Sequence, residues 1–331
     1  MELFFPAYYH NFRCLASKCN DSCCKEWIVD VDAASAAYYR TVSGPLGDRL
    51  RAVLKDTENG TIMEIENGRC PMWQADGLCW IHKELGHDAL CETCRNFPRL
   101  RHDYGDFMEL GLELSCPEAA RLILTAKNPE TLTSTQPGGS APDYDPAAMN
   151  TLRTSRKSAL DFLANTPDLP KALAAILLYA HDVQAALDCD DAIESTPDTC
   201  LTEVNRYRNS GDMRAIFKFF ENLEILTDDW KTRLQQVPTS PIWSDELKAF
   251  ARYLIERYWL QAISDYDLIC RVKFIIIACL LVAALGGDPI RTAQQFSKEI
   301  ENNPDNVEAI FDGAYTAPAI TDSNLLALLL Q

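Results

Sequence analysis

Cysteines are concentrated in the front third of this chain, and they constrain its fold more than any other feature. Nine of the thirteen cysteines lie within the first 116 of 331 residues, at positions Cys14, Cys19, Cys23, Cys24, Cys70, Cys79, Cys91, Cys94 and Cys116. In a reducing compartment such density is typical of a thiolate metal site rather than of disulfides. The sequence therefore predicts a metal-binding front and a back of different architecture.

The N-terminus and the apolar segments predict a cytoplasmic protein. The opening residues, MELFFPAYYHNFRC, lack a basic region, a sustained apolar core and a small-residue cleavage site, so no secretory signal is expected. The most apolar run, residues 274–285, is shorter than the ~20 residues that span a bilayer. It predicts a buried helix and no membrane insertion. The formal net charge of −17 argues against nucleic acid as a partner, because phosphate binding needs a basic surface.

The pattern of apolar residues predicts a mainly α protein in two parts. Residues 1–126 form a Cys-rich metal-binding domain with short strands at 27–32 and 62–66 and helices at 33–54, interrupted at Gly44-Pro45, and at 116–124. Residues 127–147, with four prolines and two glycines, form a linker. Residues 148–331 form a helical domain, with helices expected at 148–165, 168–188, 198–208, 211–226, 241–263, 266–286, 289–302 and 305–313. The apolar run 324–331 packs on the body or continues into further chain.

The spacing of the nine front cysteines leaves the number of metal sites open. Four thiolates suffice for one zinc ion or one iron–sulfur cluster, so nine serve two sites, or one site with spare cysteines. Cys91 and Cys94 have the spacing that lets two sulfurs reach one metal from a tight turn, whereas the adjacent Cys23 and Cys24 are expected to point apart. His82 is a further candidate ligand. The remaining cysteines are expected to pack in the helical core: Cys189, Cys200, Cys270 and Cys279.

Arginines follow the Cys91–Cys94 pair in an otherwise acidic chain. Arg95 and Arg99 offer planar guanidinium groups beside the predicted thiolate site, where they can hold the carboxylate or phosphate of a cofactor. The alternative is that these arginines form ion pairs with nearby acidic residues, namely Asp103, Asp106 and Glu109.

Several motifs, in order, resemble the opening of the flagellin lysine-N-methylases. They are PAYYHNFRC (6–14), Cys19, SCCKEWIVDVD (22–32), GRCP (68–71), GLC (77–79), ELGHDALC (84–91), CRNFPR (94–99) and GLELSCPEAARLI (111–123). The shorter cysteine elements also resemble a broader group of bacterial zinc- or iron-chelating cysteine-cluster proteins. The resemblance covers about residues 3–125, and the helical half carries no motif of the family.

The resemblance implies a protein-lysine N-methyltransferase. That family methylates flagellin lysines with S-adenosylmethionine, and a Cys-bound [4Fe–4S] cluster is implicated. Carried onto this chain, the cluster ligands come from the nine front cysteines, with Cys19, Cys23, Cys91 and Cys94 ranked first, and Arg95 or Arg99 assists donor binding. The substrate is flagellin or another surface protein, methylated before export.

Two absences from the sequence set the expected mechanism apart from the common methyltransferases. The chain has no glycine-rich strand-to-helix loop of the Rossmann type, and it lacks the Cys-x3-Cys-x2-Cys triplet of radical S-adenosylmethionine enzymes. Two other readings stay open. One is a non-catalytic protein that binds zinc or iron through its cysteines, and the other is a structural zinc with partner binding by the helical half.

Overall fold

A computed structural model of the chain describes residues 1–19, 21–25, 27–189, 192–206 and 210–331. These residues form a mainly helical protein with two small β-sheets, which agrees with the predicted fold class in its helical part. The α-helices are α1 (Ala33–Thr41), α2 (Gly44–Val53), α3 (Trp80–Leu85), α4 (Glu92–Asn96), α5 (Pro117–Thr125), α6 (Pro146–Asn165), α7 (Leu169–Cys189), α8 (Pro197–Glu203), α9 (Met213–Glu221), α10 (Asp228–Leu234), α11 (Asp245–Tyr258), α12 (Leu268–Leu285), α13 (Pro289–Phe296), α14 (Pro304–Thr316) and α15 (Asp322–Leu329).

Two short sheets lie in the front of the chain. Their strands are β1 (Glu2–Pro6), β2 (Val29–Val31), β3 (Leu54–Thr57), β4 (Gly60–Met63), β5 (Arg99–Asp103), β6 (Phe107–Leu112) and β7 (Thr131–Thr135). The first sheet has the order β5-β6-β1-β7, with β1 parallel to β6 and antiparallel to β7. The second has the order β2-β4-β3 and is antiparallel. Strand β7 lies within 127–147, so part of the predicted linker completes the first sheet.

The apolar side chains form two separate cores. The smaller core is built from residues between 29 and 91, among them Tyr39, Leu50 and Met72. The larger core joins β1, β6 and α5 to the helices that follow them. The first sheet therefore packs on the helical body, although three of its strands precede residue 127. The domain boundaries at 126 and 148 stay predictions.

Helix α12 lies at the centre of the larger core. Every residue from Leu268 to Ala284 is buried. Asp267 caps the helix by accepting a hydrogen bond from the Cys270 N–H, and Gly286 follows its last residue with a φ of +65°. A helix that is apolar all round needs neighbours on every side, and α7, α11, α13, α14 and α15 supply them.

Two helices, α7 and α12, are long and apolar enough to cross a membrane by length and composition alone. Within the protein, 94% of the most apolar window of α12 is buried, and 61% of that of α7. The buried helix predicted around 274–285 is confirmed, because the residues of α12 from Leu268 to Ala284 are buried inside the protein. The cytoplasmic location stays a prediction.

The predicted helices are present, with ends that differ from the expected bounds by up to a few residues. The helix expected at 33–54 is broken before Gly44-Pro45, as its sequence indicated, and the helix expected at 289–302 changes after Phe296 into a π-helical turn, Ser297–Glu301. The helix expected at 198–208 is α-helical only to Glu203, and residues 207 and 208 lie outside the described part of the chain. Helices α3, α4, α10 and α15, strand β3 and the strands of the first sheet were not predicted.

The C-terminal helix α15 packs on the body, which is one of the two outcomes expected for the run 324–331. Its first residue, Asp322, has one carboxylate oxygen 2.7 Å from His181 Nε2 of α7 and the other 2.8 Å from Lys273 Nζ of α12. Burial raises the pKa of Asp322, but the hydrogen bond with His181 and the interaction with Lys273 outweigh burial and lower the pKa to about 2. The Asp322 carboxylate thus links α15 to α7 and to α12.

We expect Asp322→Asn to lower the free energy of unfolding by about 1–2 kcal/mol near neutral pH, because it removes this charge. The folded-state pKa lies below the unfolded value of about 3.9, so the stabilisation is complete above that value and is lost as the pH falls towards about 2. Urea unfolding from about pH 7 to about pH 3 should show the difference between wild type and variant shrinking at the acidic end. A difference independent of pH would contradict this role.

Candidate functional site

Six front cysteines lie close together, and we call them the six-cysteine group: Cys23, Cys24, Cys70, Cys79, Cys91 and Cys94. Backbone pairing brings the first three together, because Lys25 pairs with Arg69 in a β-bridge and the Cys70 N–H donates to the Cys24 carbonyl at 2.7 Å. The Cys24 thiol lies close enough to the thiols of both Cys23 and Cys70 to shift their pKa values. The structure therefore directs the adjacent Cys23 and Cys24 into one group, where the sequence led us to expect them to point apart.

Cys79 joins the group through a tight turn. The Trp73 N–H donates to the Cys70 carbonyl, and Trp73 pairs with Cys79 in a second β-bridge. The chain between residues 70 and 79 thus folds back on itself. Cys79 lies directly before α3, where its sulfur is faced by amides of the first turn of that helix.

Helix α4 contains Cys94, begins directly after Cys91, and is hydrogen-bonded to strand β2 and to the residue that follows it. The Thr93 hydroxyl donates to the Asp30 carbonyl at 2.9 Å, and the Glu92 N–H donates to Asp32 Oδ2 at 2.8 Å. The other oxygen of Asp32 accepts from the Ser35 N–H and caps α1. One carboxylate therefore holds two helices and fixes where the two thiols lie.

The thiols of the six-cysteine group change one another's ionisation. A hydrogen bond between Cys94 and Cys91 lowers the pKa of Cys91 and raises that of Cys94. Contact with the Cys24 thiol lowers the pKa of Cys70 in spite of burial, whereas burial raises the pKa of Cys79. Thiolates this close repel one another, so a fully ionised group requires a compensating cation.

The six-cysteine group extends from the smaller core to the surface. Cys70 and Cys91 are buried, Cys24 and Cys79 are half-buried, and Cys23 and Cys94 are exposed. Among the described residues, no three His, Cys, Asp or Glu side chains are arranged so that they hold a metal ion. The donor chemistry nevertheless fits, because clustered thiolates are the ligands of zinc and of iron–sulfur clusters.

Cys14, Cys19 and Cys116 form a second set, which we call the three-cysteine group. Cys14 and Cys19 stand on either side of a short 3-10 turn, and Cys116 lies directly before α5. Burial raises the pKa of Cys116 to about 12, and the charges of Cys19 and Cys14 add to this shift. Cys23 is also close enough to raise the pKa of Cys19, so the two groups adjoin.

Asp21, between the two groups in sequence, is bound by α13 and the π-helical turn that follows it. Its Oδ2 lies 2.9 Å from Lys298 Nζ and 3.1 Å from Gln294 Nε2. Gln294 also donates to the Ser115 carbonyl at 2.7 Å, directly before Cys116. Burial of Asp21 opposes its ionisation, but the charge of Lys298 and the hydrogen bonds from Lys298, the Ser22 N–H and Gln294 together outweigh burial and lower the pKa of the carboxyl. These contacts hold the Cys19–Cys23 loop against the helical body.

The predicted site residues fall into different places. Of the four cysteines ranked first, Cys23, Cys91 and Cys94 lie in the six-cysteine group, and Cys19 lies in the three-cysteine group. His82 stacks its ring edge-on against His87, with ring centroids 5.9 Å apart.

The two candidate cofactor-binding arginines have different neighbours. Arg95 donates to the Asp88 carbonyl at 3.3 Å, and the Arg99 guanidinium lies 5.4 Å from the centre of the Phe12 ring. Glu109, considered as an ion-pair partner for them, pairs instead with Arg156 of α6.

One cysteine assignment in the helical half is wrong. Cys200, Cys270 and Cys279 are buried as expected, but Cys189 is exposed because it is the last residue of α7, where the helix leaves the core.

A cavity of about 110 Å³, which the sequence did not predict, lies between the first sheet and helices α6 and α11. Its apolar walls include Phe4, Leu110 and Leu160, and its polar lining includes His102 and Glu256. The sequence gives little sign of this cavity. Helix α11 has an amphipathic pattern, and no local feature of the sequence distinguishes a glutamate that lines a cavity from one that faces solvent.

Comparisons with known proteins find relatives by sequence but no protein of known structure that matches the chain. No protein-family model and no solved structure matches the chain. The flagellar biosynthetic protein FliU of Salmonella muenchen is 32% identical over 126 residues, which cover 36% of this chain and 75% of that protein. A lysine-N-methylase of Salmonella typhimurium is 28% identical over 198 residues (56% of this chain, 49% of the relative), and one of Salmonella choleraesuis is 28% identical over 201 residues with the same coverage. The chain spans about half the length of these two lysine-N-methylases.

These relatives define a class of bacterial proteins named for flagellar biosynthesis and for lysine methylation. The chain belongs to the flagellin lysine-N-methylase family, as the ordered motifs of its front implied.

We expect Asp21→Ala to lower the free energy of unfolding by about 2 kcal/mol, because it removes the carboxylate that Lys298 and Gln294 bind. Hydrogen exchange should also accelerate in the loop around Cys19 and Cys23. The matched control is Asp48→Ala, since Asp48 pairs with Arg51 on the surface with 79% of its side chain exposed and should change stability by less than about 0.5 kcal/mol. Equal effects of the two variants would show that Asp21 does not fasten the loop.

Proposed function

We propose that this chain is a methyltransferase that modifies lysine side chains of a flagellar protein. The similarity to two proteins named lysine-N-methylase carries this proposal, and the FliU relative supports a flagellar substrate. The methyl donor in this proposal is S-adenosylmethionine, and the substrate is flagellin or another surface protein, modified in the cytoplasm before export. The net charge of −17 suits a lysine-bearing partner.

The six-cysteine group supports a metal cofactor in this proposal. We propose a [4Fe–4S] cluster, with ligands drawn from the nine front cysteines and with Cys91 and Cys94 as a pair on one turn. Such a cluster, held by these cysteines, would supply an iron as a Lewis acid that binds and orients the donor. Two of the candidate ligands, Cys23 and Cys94, are exposed, so a site that includes them would open to the surface, where a donor and a protein substrate arrive.

The residues of the chain bind and orient the reactants. Direct methyl displacement requires that a neutral amine be aligned with the methyl carbon and the donor sulfur, and positioning supplies much of the rate. Arg95 suits the donor carboxylate, because a guanidinium has five N–H donors and, within the described part of the chain, Arg95 uses one of them on the Asp88 carbonyl. Arg99, which lies over Phe12, is the second candidate for this role.

The metal proposal is tested by the composition of protein purified without oxygen. We expect about four irons and four sulfides per chain, with broad visible absorption. Cys91→Ser and Cys94→Ser should lose most of this iron, because each removes a thiolate from the six-cysteine group. Cys189→Ser is the matched control, since Cys189 is exposed and distant in sequence from both groups, and it should retain full content. Zinc without visible absorption would favour the alternative, a non-catalytic zinc- or iron-binding protein.

The methyltransferase proposal is tested by transfer of isotope-labelled methyl from S-adenosylmethionine to purified flagellin. We expect labelled lysines in peptides of the substrate, found by mass spectrometry, and a loss of at least about tenfold in rate for Cys94→Ser if the metal takes part. The Cys189→Ser chain should match the wild type. Iron-loaded protein that transfers no methyl group to flagellin or to other surface proteins would overturn the activity and leave the metal site standing.

A further inference from the structure

The cavity between the first sheet and helices α6 and α11 is open to solvent and has a charged interior. Thr131, the exposed first residue of β7, lines it at the surface. Apolar side chains form most of its wall, among them Phe4, Phe5, Leu110 and Leu160. Such a cavity, apolar along its length with a few polar groups, is the usual form of a small-ligand site.

The pairing of the strands shows which residues of the first sheet line the cavity and why it is not filled. In the first sheet Glu109 stands opposite His102 of β5 and opposite Phe4 of β1, so the three residues form one row across the sheet. Gly111, two residues further along β6, lies beside Leu100 and also lines the cavity. A Cβ atom on Gly111 would meet a single neighbour within 4 Å, the Leu100 Cβ at 3.9 Å. The absence of a side chain at this position therefore leaves the volume open.

The arginines that line the cavity are already paired. Arg156 forms a bidentate ion pair with the Glu109 carboxylate and also donates to the Glu256 backbone carbonyl. Arg257 lies 3.1 Å from Glu301, a glutamate whose side chain is fully buried. An incoming anion would therefore have to break an existing pair in order to bind either guanidinium.

The Glu256 carboxylate is held much more loosely. Its ion-pair partner is Arg252, whose Nε lies 3.8 Å from Glu256 Oε1. The two terminal nitrogens of Arg252 donate instead to the Ile123 and Ala126 carbonyls. Burial raises the pKa of Glu256, with Arg252 and Arg156 partly opposing the shift. Its side chain keeps 30% of its area exposed, and Glu256 is one of the residues that line the cavity.

We propose that this cavity binds the side chain of a substrate lysine, with the alkyl stem along the apolar wall and the amine at the Glu256 carboxylate. This assignment rests on the proposed function and adds the place where the substrate lysine is recognised in its ammonium form, before the amine is deprotonated for methyl transfer. It makes Glu256 a specificity-determining residue, which selects an alkyl chain that ends in an amine over one that ends in a methyl group.

The size and the second polar group fit this ligand. A dry protein cavity of roughly 150 Å³ holds a six-carbon ring, so about 110 Å³ has room for the four carbons and one nitrogen of a lysine side chain. The His102 Nε2 atom is buried and has no hydrogen-bond partner among the described residues. Burial lowers the pKa of His102, with Arg257 adding to the shift, so this ring is a neutral polar group beside the amine site and does not repel a cation.

Equilibrium dialysis of the full chain with Nα-acetyl-L-lysine-N-methylamide tests the proposal. The norleucine analogue, which has the same four-carbon stem and no amine, is the matched ligand. We expect the wild type to bind the lysine compound at least about tenfold more tightly, since a charge-assisted hydrogen bond is worth that much. Glu256→Gln, which keeps the shape of the side chain, should abolish this preference, and the exposed Glu308→Gln on α14 should leave it unchanged.

A second variant tests the cavity itself. Gly111→Val places two methyl groups in the open volume at a strand position that accepts β-branched residues, and it should reduce binding of both ligands at least about tenfold. Far-UV circular dichroism checks that both variants fold. The proposal is overturned if Glu256→Gln keeps the preference, if Gly111→Val binds normally, or if the wild type does not distinguish the two ligands. Binding of n-pentylamine without binding of the lysine compound would assign the cavity to a small free amine and would also overturn it.

The outcomes separate this proposal from the proposed function. Wild type that methylates flagellin while Glu256→Gln methylates it equally well would leave the activity standing and remove the cavity from it. Wild type that binds the lysine compound through Glu256 but transfers no methyl group would leave the lysine site standing and overturn the methyltransferase.

Discussion

The buried ion pair between Lys298 and Asp21 joins the cysteine-bearing loops to the helical body. Lys298 is only 7% exposed, and an ammonium at such depth is costly to bury without a carboxylate beside it. Gln294 binds the same carboxylate and the Ser115 carbonyl, so the loop that follows Cys19 and the chain before Cys116 are held at one place. A small thiolate-rich region that has little core of its own thereby gains a fixed position.

Lys298 belongs to the π-helical turn Ser297–Glu301, and this turn connects the two candidate sites. A π-helical turn is wider than an α-helical one and is frequent at functional positions. Three residues after Lys298, Glu301 pairs with Arg257, which lines the apolar cavity. One short segment therefore holds the cysteine loop on one side and an edge of the cavity on the other, and all five of its residues are buried.

The sequence predicted well whatever depends on neighbours along the chain. Helices α6, α7, α11 and α12 were found from apolar spacing, since an amphipathic or fully apolar pattern of this length has few other solutions. The nine cysteines were found from density and motif order. The sequence did not predict that Cys23 and Cys24 would join one group, because that follows from the backbone pairing of Lys25 with Arg69 and of Cys24 with Cys70, which are far apart along the chain. It also failed at β1, whose parallel partner β6 lies about a hundred residues further along the chain.

The sequence by itself determined the mainly helical character, the thiolate-rich front and the family resemblance, because composition, periodicity and motif order are properties of the linear chain. Only the tertiary structure decided how the nine thiols divide into groups of six and three. It alone showed that Glu256 of α11, a residue with the local pattern of any surface glutamate, faces an apolar cavity. Both outcomes depend on contacts between distant segments, and neither the pairing of strands nor the partners of a buried charge are encoded in local spacing.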